Sequence, residues 1–275
     1  MKVDLHTHST ASDGQYCPSE VVELAHSAGV EVLSLTDHDT VSGVSEAINA
    51  GNGLGMIVVP GIELSAAEYP NLHILGYCID ISNPELIYLC KEAQMERERH
   101  TLYIKDYLSK HGIPINLDEV REVADGGAIG RPHFAQVLVR HGYVKSSREA
   151  FDKYLDTDDY HKIPRKKPSA RCCIETIKIA GGLPVLAHPY QLPLDDAALE
   201  TELNELLSYG LAGIECFYPK HSAKQQSFYL HLAAKYHIHI TAGSDFHGEK
   251  VHREDKVVSV ELNDISWLLS NLKSL

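Results

Sequence analysis

The chain has 275 residues, with 25 Lys and Arg against 38 Asp and Glu, giving a formal net charge of −13 at pH 7. That length suits one large α/β domain with an insertion or two modest domains, and the acidic balance argues against broad electrostatic binding to duplex DNA or to anionic membrane. No apolar run approaches a membrane span and no charged-then-apolar leader opens the chain, so the expected compartment is the cytoplasm.

The opening stretch "MKVDLHTHSTASDG" reads as a strand that ends at His6 and His8, with Asp13 in the following loop. Spacing of i, i+2 puts both imidazoles on one face of that strand. "CPSEVVELAHSAG" then shows helical spacing, with Pro18 in its first turn and Gly29 as its stop. The β-branched run "VEVLSLT" ends at Asp37 and His38, "GMIVVPGIEL" ends near Glu63, and "LHILGYCI" carries His73.

Between residues 83 and 168 the strand signal vanishes. Asn83-Pro84 opens a long helical segment that Gly112 closes, and "NLDEVREVA" begins with Asn116 and Glu119 at capping-box spacing. Residues 83–168 are therefore expected to form an inserted helical cap subdomain, and residues 1–82 with 169–275 the domain it interrupts. The insertion returns through "YHKIPRKKPS", which carries Lys162, Arg165, Lys166 and Lys167. "SARCCIETIKIAGG" repeats the helix grammar, with Ser169 as N-cap and Gly181 as stop. "GLPVLAH" then ends at His188, "GLAGIECFY" follows, and "HIHITAGS" leads to Asp245 and His247, again two residues apart. Seven strands alternating with helices imply parallel pairing, as a closed barrel or an open sheet, and the barrel is preferred. The six cysteines include no CxxC pair and sit mostly in apolar segments, as reduced thiols do.

The polar residues cluster at the carboxyl ends of these strands, the rim where α/β folds assemble sites. Six histidines and three carboxylates gathered there would bury unneutralised charge unless cations sat among them. A mixed nitrogen and oxygen set without cysteine suits Mn²⁺, Fe²⁺ or Zn²⁺ rather than Ca²⁺. Nine ligands exceed the needs of one ion, so two or three are expected, with Glu63 as the bridging carboxylate. Paired metals serve phosphoester hydrolysis by lowering the pKa of a bridging water and by clamping the attacking and leaving oxygens. Neither a GxSxG nucleophile elbow nor a GxxxxGKS phosphate loop occurs.

In order along the chain, "DLHTHSTASDG", "LTDHDT", "GIELS", "HILGY", "AHP" and "GSDFHG" resemble the PHP family, named for polymerases and histidinol phosphatases. The resemblance implies a distorted seven-stranded (β/α)7 barrel with a trinuclear metal centre. It assigns His6, His8, Glu63 and Asp245 to one metal, Glu63, His73 and His188 to a second, and Asp13, His38 and His247 to a third. "GAIGRPHFAQVLVRHGYVKSSREAFDKYL" looks like the helical cap of the branch holding nucleoside 3′,5′-bisphosphate phosphatases and 5′-to-3′ exoribonucleases. That implies substrate contacts from Arg131 and His133, an Arg fork being suited to phosphate oxygens. Arg131-Pro132 can at the same time begin a helix. Arg165 aligns with a further basic residue of the branch, and no role carries over to Lys166 or Lys167. "FYPKHS" resembles an aromatic-Pro-x-His-Ser stretch that would make His221 a phosphate ligand or a proton donor to the leaving oxygen. His26, His100, His111, His141, His161, His231, His237, His239 and His252 have no such placement and are read as structural or surface residues.

The expected activity is removal of the 3′-phosphate from nucleoside 3′,5′-bisphosphates, such as adenosine 3′,5′-bisphosphate, by a metal-bridging hydroxide. Trimming of short 5′-phosphorylated RNA and hydrolysis of histidinol phosphate are the enzymatic alternatives, and a non-catalytic metal-binding docking domain is the alternative from a different class. Oligomeric state is not readable from the sequence.

Overall fold

The computed structural model describes residues 1–124, 129–249, 251 and 256–272, so His252 and the Gly127-Ala128 start of the cap stretch lie outside the described residues. Two compact units emerge: Met1–Lys91 with Lys167–Leu275, and Glu92–Lys166.

The first unit is built on a sheet of β1 (Lys2–Thr7), β2 (Val32–Leu35), β3 (Ile57–Ser65), β4 (His73–Tyr77), β5 (Leu183–Leu186), β6 (Gly213–Phe217), β7 (His239–Ala242) and β8 (Val260–Glu261), in the order β7-β6-β5-β4-β3-β2-β1-β8. Seven of these coincide with the runs expected from sequence. The eighth pairs antiparallel with β1 and is two residues long, too short to carry a periodic signal. The segment after β7 brings the sheet nearly to closure. Its Asp245 N–H donates to His6 O at 2.8 Å, His8 N–H donates to Phe246 O at 2.9 Å, and Thr7 and Phe246 form a parallel bridge.

Uniformly parallel pairing is corrected in one place, because β4 runs antiparallel to both β3 and β5. Only residues 66–72 connect β3 to β4. A helical crossover needs about a dozen residues or more, so this connection can only turn back. In the resulting register Ser65 pairs with His73 and Glu63 with Leu75. His73, at the start of its strand, thus shares a rim with Glu63 near the end of the preceding one.

Helices α1 (Pro18–Ser27), α2 (Val44–Leu54), α7 (Ala170–Ile179), α8 (Asp196–Tyr209), α9 (Ala223–Tyr236) and α10 (Ser266–Leu272) also belong to this unit, and α3 (Pro84–Lys110) begins in it. Their ends follow the local chemistry. Pro18 opens α1, where Cys17 N–H donates to Glu20 Oε2 at 2.9 Å, and Ser169 Oγ accepts from Cys172 N–H at 3.1 Å before α7. Gly29 and Gly181 follow those helices at φ +80° and +77°. Leu33 and Leu35 of β2 pack with Val21, Val22 and Ala25 of α1, while Ile62, Leu64 and Ile74 join Cys173, Ile174 and Ile177 of α7. Each fully buried Leu or Ile of this kind contributes about 1.5–3 kcal/mol.

The second unit takes up the rest of α3 and contains α4 (Leu117–Ala124), α5 (Arg131–Arg140) and α6 (Ser147–Ala150). Its own core includes Ile104, Leu108, Val120, Phe134, Leu138 and Leu155. All six cysteines are free, and Cys78, Cys90, Cys173 and Cys216 are buried. Among the described residues no helix is long and apolar enough to cross a membrane.

Gly61 leaves room for a close approach of β3 to β2. A Cβ there would collide with Ser34 Oγ and stand 2.8 Å from Leu35 O, which is backbone and cannot swing away. Gly61→Ala is expected to lower the unfolding free energy by about 1–3 kcal/mol in urea titrations, the usual cost of overpacking. A wild-type midpoint would show that β2 and β3 separate freely.

Candidate metal centre

Glu63 is fully buried near the end of β3 and organises the site. Its Oε2 lies 3.3 Å from His6 Nε2, 3.2 Å from His8 Nε2 and 3.0 Å from His38 Nδ1. Its Oε1 lies 2.9 Å from His73 Nδ1 and 3.0 Å from His188 Nε2. Asp245 Oδ1 stands 3.4 Å from His6 Nε2 and 3.2 Å from His8 Nε2, and His247 Nε2 is 3.4 Å from Asp13 Oδ1. The structure therefore brings together all nine residues singled out at the strand ends.

Ligand atoms within 4.8 Å of one another fall into three groups: His6, His8, Glu63 and Asp245; His8, Asp13, His38 and His247; and His38, Glu63 and His73. His8 and His38 each belong to two of them. This sharing is denser than the allotment the family resemblance implies, where only Glu63 is held in common. His188 joins through its contact with Glu63 Oε1.

His73 Nδ1 and His188 Nε2 hydrogen-bond to Glu63 Oε1, but the contacts around Oε2 are not hydrogen bonds. His6 Nε2, His8 Nε2, Asp13 Oδ1 and Glu63 Oε2 are buried without a hydrogen-bond partner. An unsatisfied buried polar atom costs about 1–3 kcal/mol, and here the unsatisfied lone pairs converge. A divalent cation satisfies such a set at once, and imidazoles with carboxylates but no thiolate fit a first-row metal. Metal-dependent phosphoester chemistry is what a centre of this composition supports.

The electrostatics of the protein alone point the same way. Burial works to raise the Glu63 carboxyl, but the charges of His38, His6 and His73 hold it well below the ordinary carboxylate range. Burial disfavours charge on His247 too, yet Asp13 and Asp245 push it up to about 10. His73 is lowered to about 4, chiefly by burial.

Strained backbone holds several of these groups. Asp39, His188 and Asp245 adopt φ values of +55°, +24° and +56°, conformations that cost a side-chain-bearing residue about 1–3 kcal/mol. Each strained N–H is anchored. Asp39 N donates to Glu63 O at 2.9 Å, Asp245 N to His6 O at 2.8 Å, and His188 N to Glu215 Oε2 at 2.7 Å.

Several supporting residues are not among those assigned from sequence. Asp37, noted there only as a strand end, accepts from Ser9 N–H, Ser9 Oγ and Ser12 Oγ at 2.6–2.7 Å. Asp4 accepts from Ser244 N–H at 2.9 Å and Ser244 Oγ at 2.6 Å, tying β1 to the loop that carries Asp245. Burial raises Asp4 to about 6. Glu215 contacts His6 Nδ1 at 3.1 Å. A signal for two of them is present in the sequence: Asp4 and Glu215 are carboxylates inside otherwise apolar strands, "VDL" and "IEC".

Tyr218 OH donates to Asp245 Oδ2 at 3.1 Å, and the Tyr218 and His221 rings lie 5.1 Å apart. His221 Nδ1 contacts Cys216 O at 3.0 Å, while its buried Nε2 has no hydrogen-bond partner. A carbonyl can only accept, so Nδ1 carries the proton and Nε2 the lone pair. Burial lowers the His221 pKa. Donation from Nε2 therefore requires that it first be protonated.

Arg131, His133 and Arg165 belong to the second unit. Arg131 opens α5, its guanidinium 2.8 Å from Asp156 Oδ1 and within 6 Å of the Phe151 and Tyr160 rings. His133 Nδ1 accepts from Gly130 N–H at 2.9 Å, which secures the start of that helix. Arg165 is exposed.

A family model described as the PHP domain matches residues 4–161. A 5′-3′ exoribonuclease of Haemophilus influenzae is 34% identical over 247 residues, 90% of each chain. A phosphoribosyl 1,2-cyclic phosphate 1,2-diphosphodiesterase of Eggerthella lenta is 33% identical over 90% of this chain and 94% of its own. A 3′,5′-nucleoside bisphosphate phosphatase of Chromobacterium violaceum is 33% identical over 89% of this chain and 87% of its own. Among solved structures, one from Bifidobacterium adolescentis described as a metal-dependent phosphoesterase superposes with a TM-score of 0.84 at 28% identity, covering 98% of this chain and 96% of that one.

Because His247 holds its proton up to about 10 without metal, a cation binding there must displace that proton at neutral pH. Affinity for Mn²⁺ should thus rise with pH throughout the range up to about 10. Calorimetric titration at pH 7 in buffers of different ionisation enthalpy should show proton release on Mn²⁺ binding; heats independent of buffer would contradict the assignment.

Proposed function

This chain belongs to the PHP family and is a metal-dependent phosphoesterase, and we propose that it removes the 3′-phosphate from nucleoside 3′,5′-bisphosphates, leaving a nucleoside 5′-monophosphate. The observation that carries this reading is the set of nine buried or half-buried nitrogen- and oxygen-bearing residues gathered around Glu63 and Asp245. His6, His8, Glu63 and Asp245 would hold one ion, Glu63, His73 and His188 a second, and Asp13, His38 and His247 a third. Such ions, Mn²⁺, Fe²⁺ or Zn²⁺, supply Lewis acidity toward phosphate oxygens and an activated water.

Other residues of the chain bind and protonate. Arg131, His133 and Arg165 are assigned to the substrate, with the Arg131 fork exchanging its contact with Asp156 for phosphate oxygens. Net reaction adds the elements of water across the P–O3′ bond: the hydroxyl goes to phosphorus and the proton to the departing sugar oxygen. His221 can deliver that proton only once a bound phosphate dianion has favoured protonation of Nε2, the reverse of what burial does. Otherwise water delivers it.

The Chromobacterium relative supports the bisphosphate, and a net charge of −13 suits a small ligand better than a long polyanion. A second reading, trimming of short 5′-phosphorylated RNA, is favoured by the Haemophilus relative and by the exposed cations Lys162, Arg165 and Lys166. Mn²⁺-loaded protein should be given adenosine 3′,5′-bisphosphate, a 5′-phosphorylated RNA oligomer and phosphoribosyl 1,2-cyclic phosphate in parallel. We expect AMP and phosphate from the first, with Asp245→Ala inactive. Turnover of only the RNA or only the cyclic phosphate would replace the bisphosphate reading. Arg131→Ala should lower kcat/KM for the bisphosphate about 10- to 100-fold, the worth of a hydrogen bond to a charged group. An unchanged value would remove Arg131 from the substrate contacts.

A further inference from the structure

Glu215 has no part in the chemistry above, yet it is a fully buried carboxylate in the middle of β6. Its Oε1 lies 3.1 Å from His6 Nδ1, and its Oε2 accepts from His188 N–H at 2.7 Å. Both oxygens are thus committed to residues that also touch Glu63, one on β1 and one after β5. We infer that Glu215 is the positioning residue of the metal centre, setting the His6 tautomer and pinning the His188 backbone. This inference rests on the metal-centre reading above.

The tautomer argument is one of donors and acceptors. A carboxylate only accepts, so the His6 nitrogen facing Glu215 must be the N–H, and that nitrogen is Nδ1. In the neutral ring that a cation would require, the lone pair is then left on Nε2, 3.3 Å from Glu63 Oε2 and 3.4 Å from Asp245 Oδ1. Without the Glu215 acceptor the imidazole could carry its proton on Nε2, where it would block a cation.

The backbone argument concerns strain. His188 sits at φ +24°, and its N–H is held by Glu215 Oε2. Losing that bond would let the peptide relax and carry the His188 ring away from Glu63 Oε1. Glu215 is not placed among the ligands, because its two oxygens are engaged by His6 Nδ1 and by His188 N–H. Nor does the sheet need its charge. The pairing of β6 with β5 and β7 is made by backbone, and an apolar side chain would be buried there at far lower cost. The pocket is also tight, because a Cβ at Gly243 would collide with His6 Cβ and stand 2.8 Å from Glu215 Oε1.

The test compares wild type with Glu215→Gln, each stripped of metal and titrated with Co²⁺ against a chromophoric chelator. Visible spectra of the bound Co²⁺ and melting of the metal-free proteins are recorded alongside. Glutamine keeps the shape but can no longer accept from both His6 and His188, so Co²⁺ should bind about 10- to 100-fold more weakly, with an altered spectrum. A merely structural role would lower the melting temperature and leave affinity and spectrum of the folded protein unchanged, which would overturn the proposal. Failure of wild type to bind Co²⁺ would instead overturn the metal-centre reading, and this one with it. Should the variant not fold, the wild-type Zn²⁺ form decides the matter by ¹H–¹⁵N imidazole spectra, His6 being identified through His6→Gln. A proton on Nδ1 that exchanges slowly supports the role, and an unprotonated Nδ1 ends it.

Discussion

Glu63 lies at zero exposure with five imidazole nitrogens 2.9–3.3 Å from its two oxygens. A carboxylate removed from water must be neutralised nearby, and that requirement accounts for much of the molecule around it. Strands β1, β2, β4 and β5 each deliver a histidine to the same rim. The reversal of β4 belongs to this demand, since only an antiparallel strand can bring its first residue beside the carboxyl end of β3. Local packing is subordinate: Gly61 lets β3 press against β2, two residues before the carboxylate that both strands help enclose.

Convergence of this density is held against electrostatic and conformational resistance. Three residues at the rim take left-handed backbone, and each is restrained by a hydrogen bond from its own N–H to an atom of the centre or of its support. The Asp4–Ser244 contacts add a tie between β1 and the loop carrying Asp245 and His247. Closure of the sheet and assembly of the centre share the same hydrogen bonds, those that join His6 and His8 to residues 245–246.

The relatives match most of this chain at similar identity yet are named for different phosphoester activities. A fold that holds this cluster of imidazoles and carboxylates so firmly leaves substrate choice to residues elsewhere. In this chain the substrate residues proposed outside the barrel lie on an inserted unit with a separate hydrophobic core, which can vary without disturbing Glu63 and its imidazoles.

Sequence alone was enough to identify the seven main strands, the caps of α1 and α7, and the nine residues that the rim gathers. Their signals are local: two-residue spacing places His6 with His8, and a proline or glycine marks a helix end whatever surrounds it. Only the tertiary structure decided that β4 runs backwards, that His8 and His38 are each shared between groups, and that Glu215 spans His6 and His188. The imidazole of His6 and the carboxylate of Glu215 are 209 positions apart, and no periodicity of either strand encodes which atom meets which. The proton position on His221 belongs to the same class, for it depends on a carbonyl that folding places within reach of Nδ1. Residue types could announce a metal centre; only the closed sheet could specify which lone pairs face it.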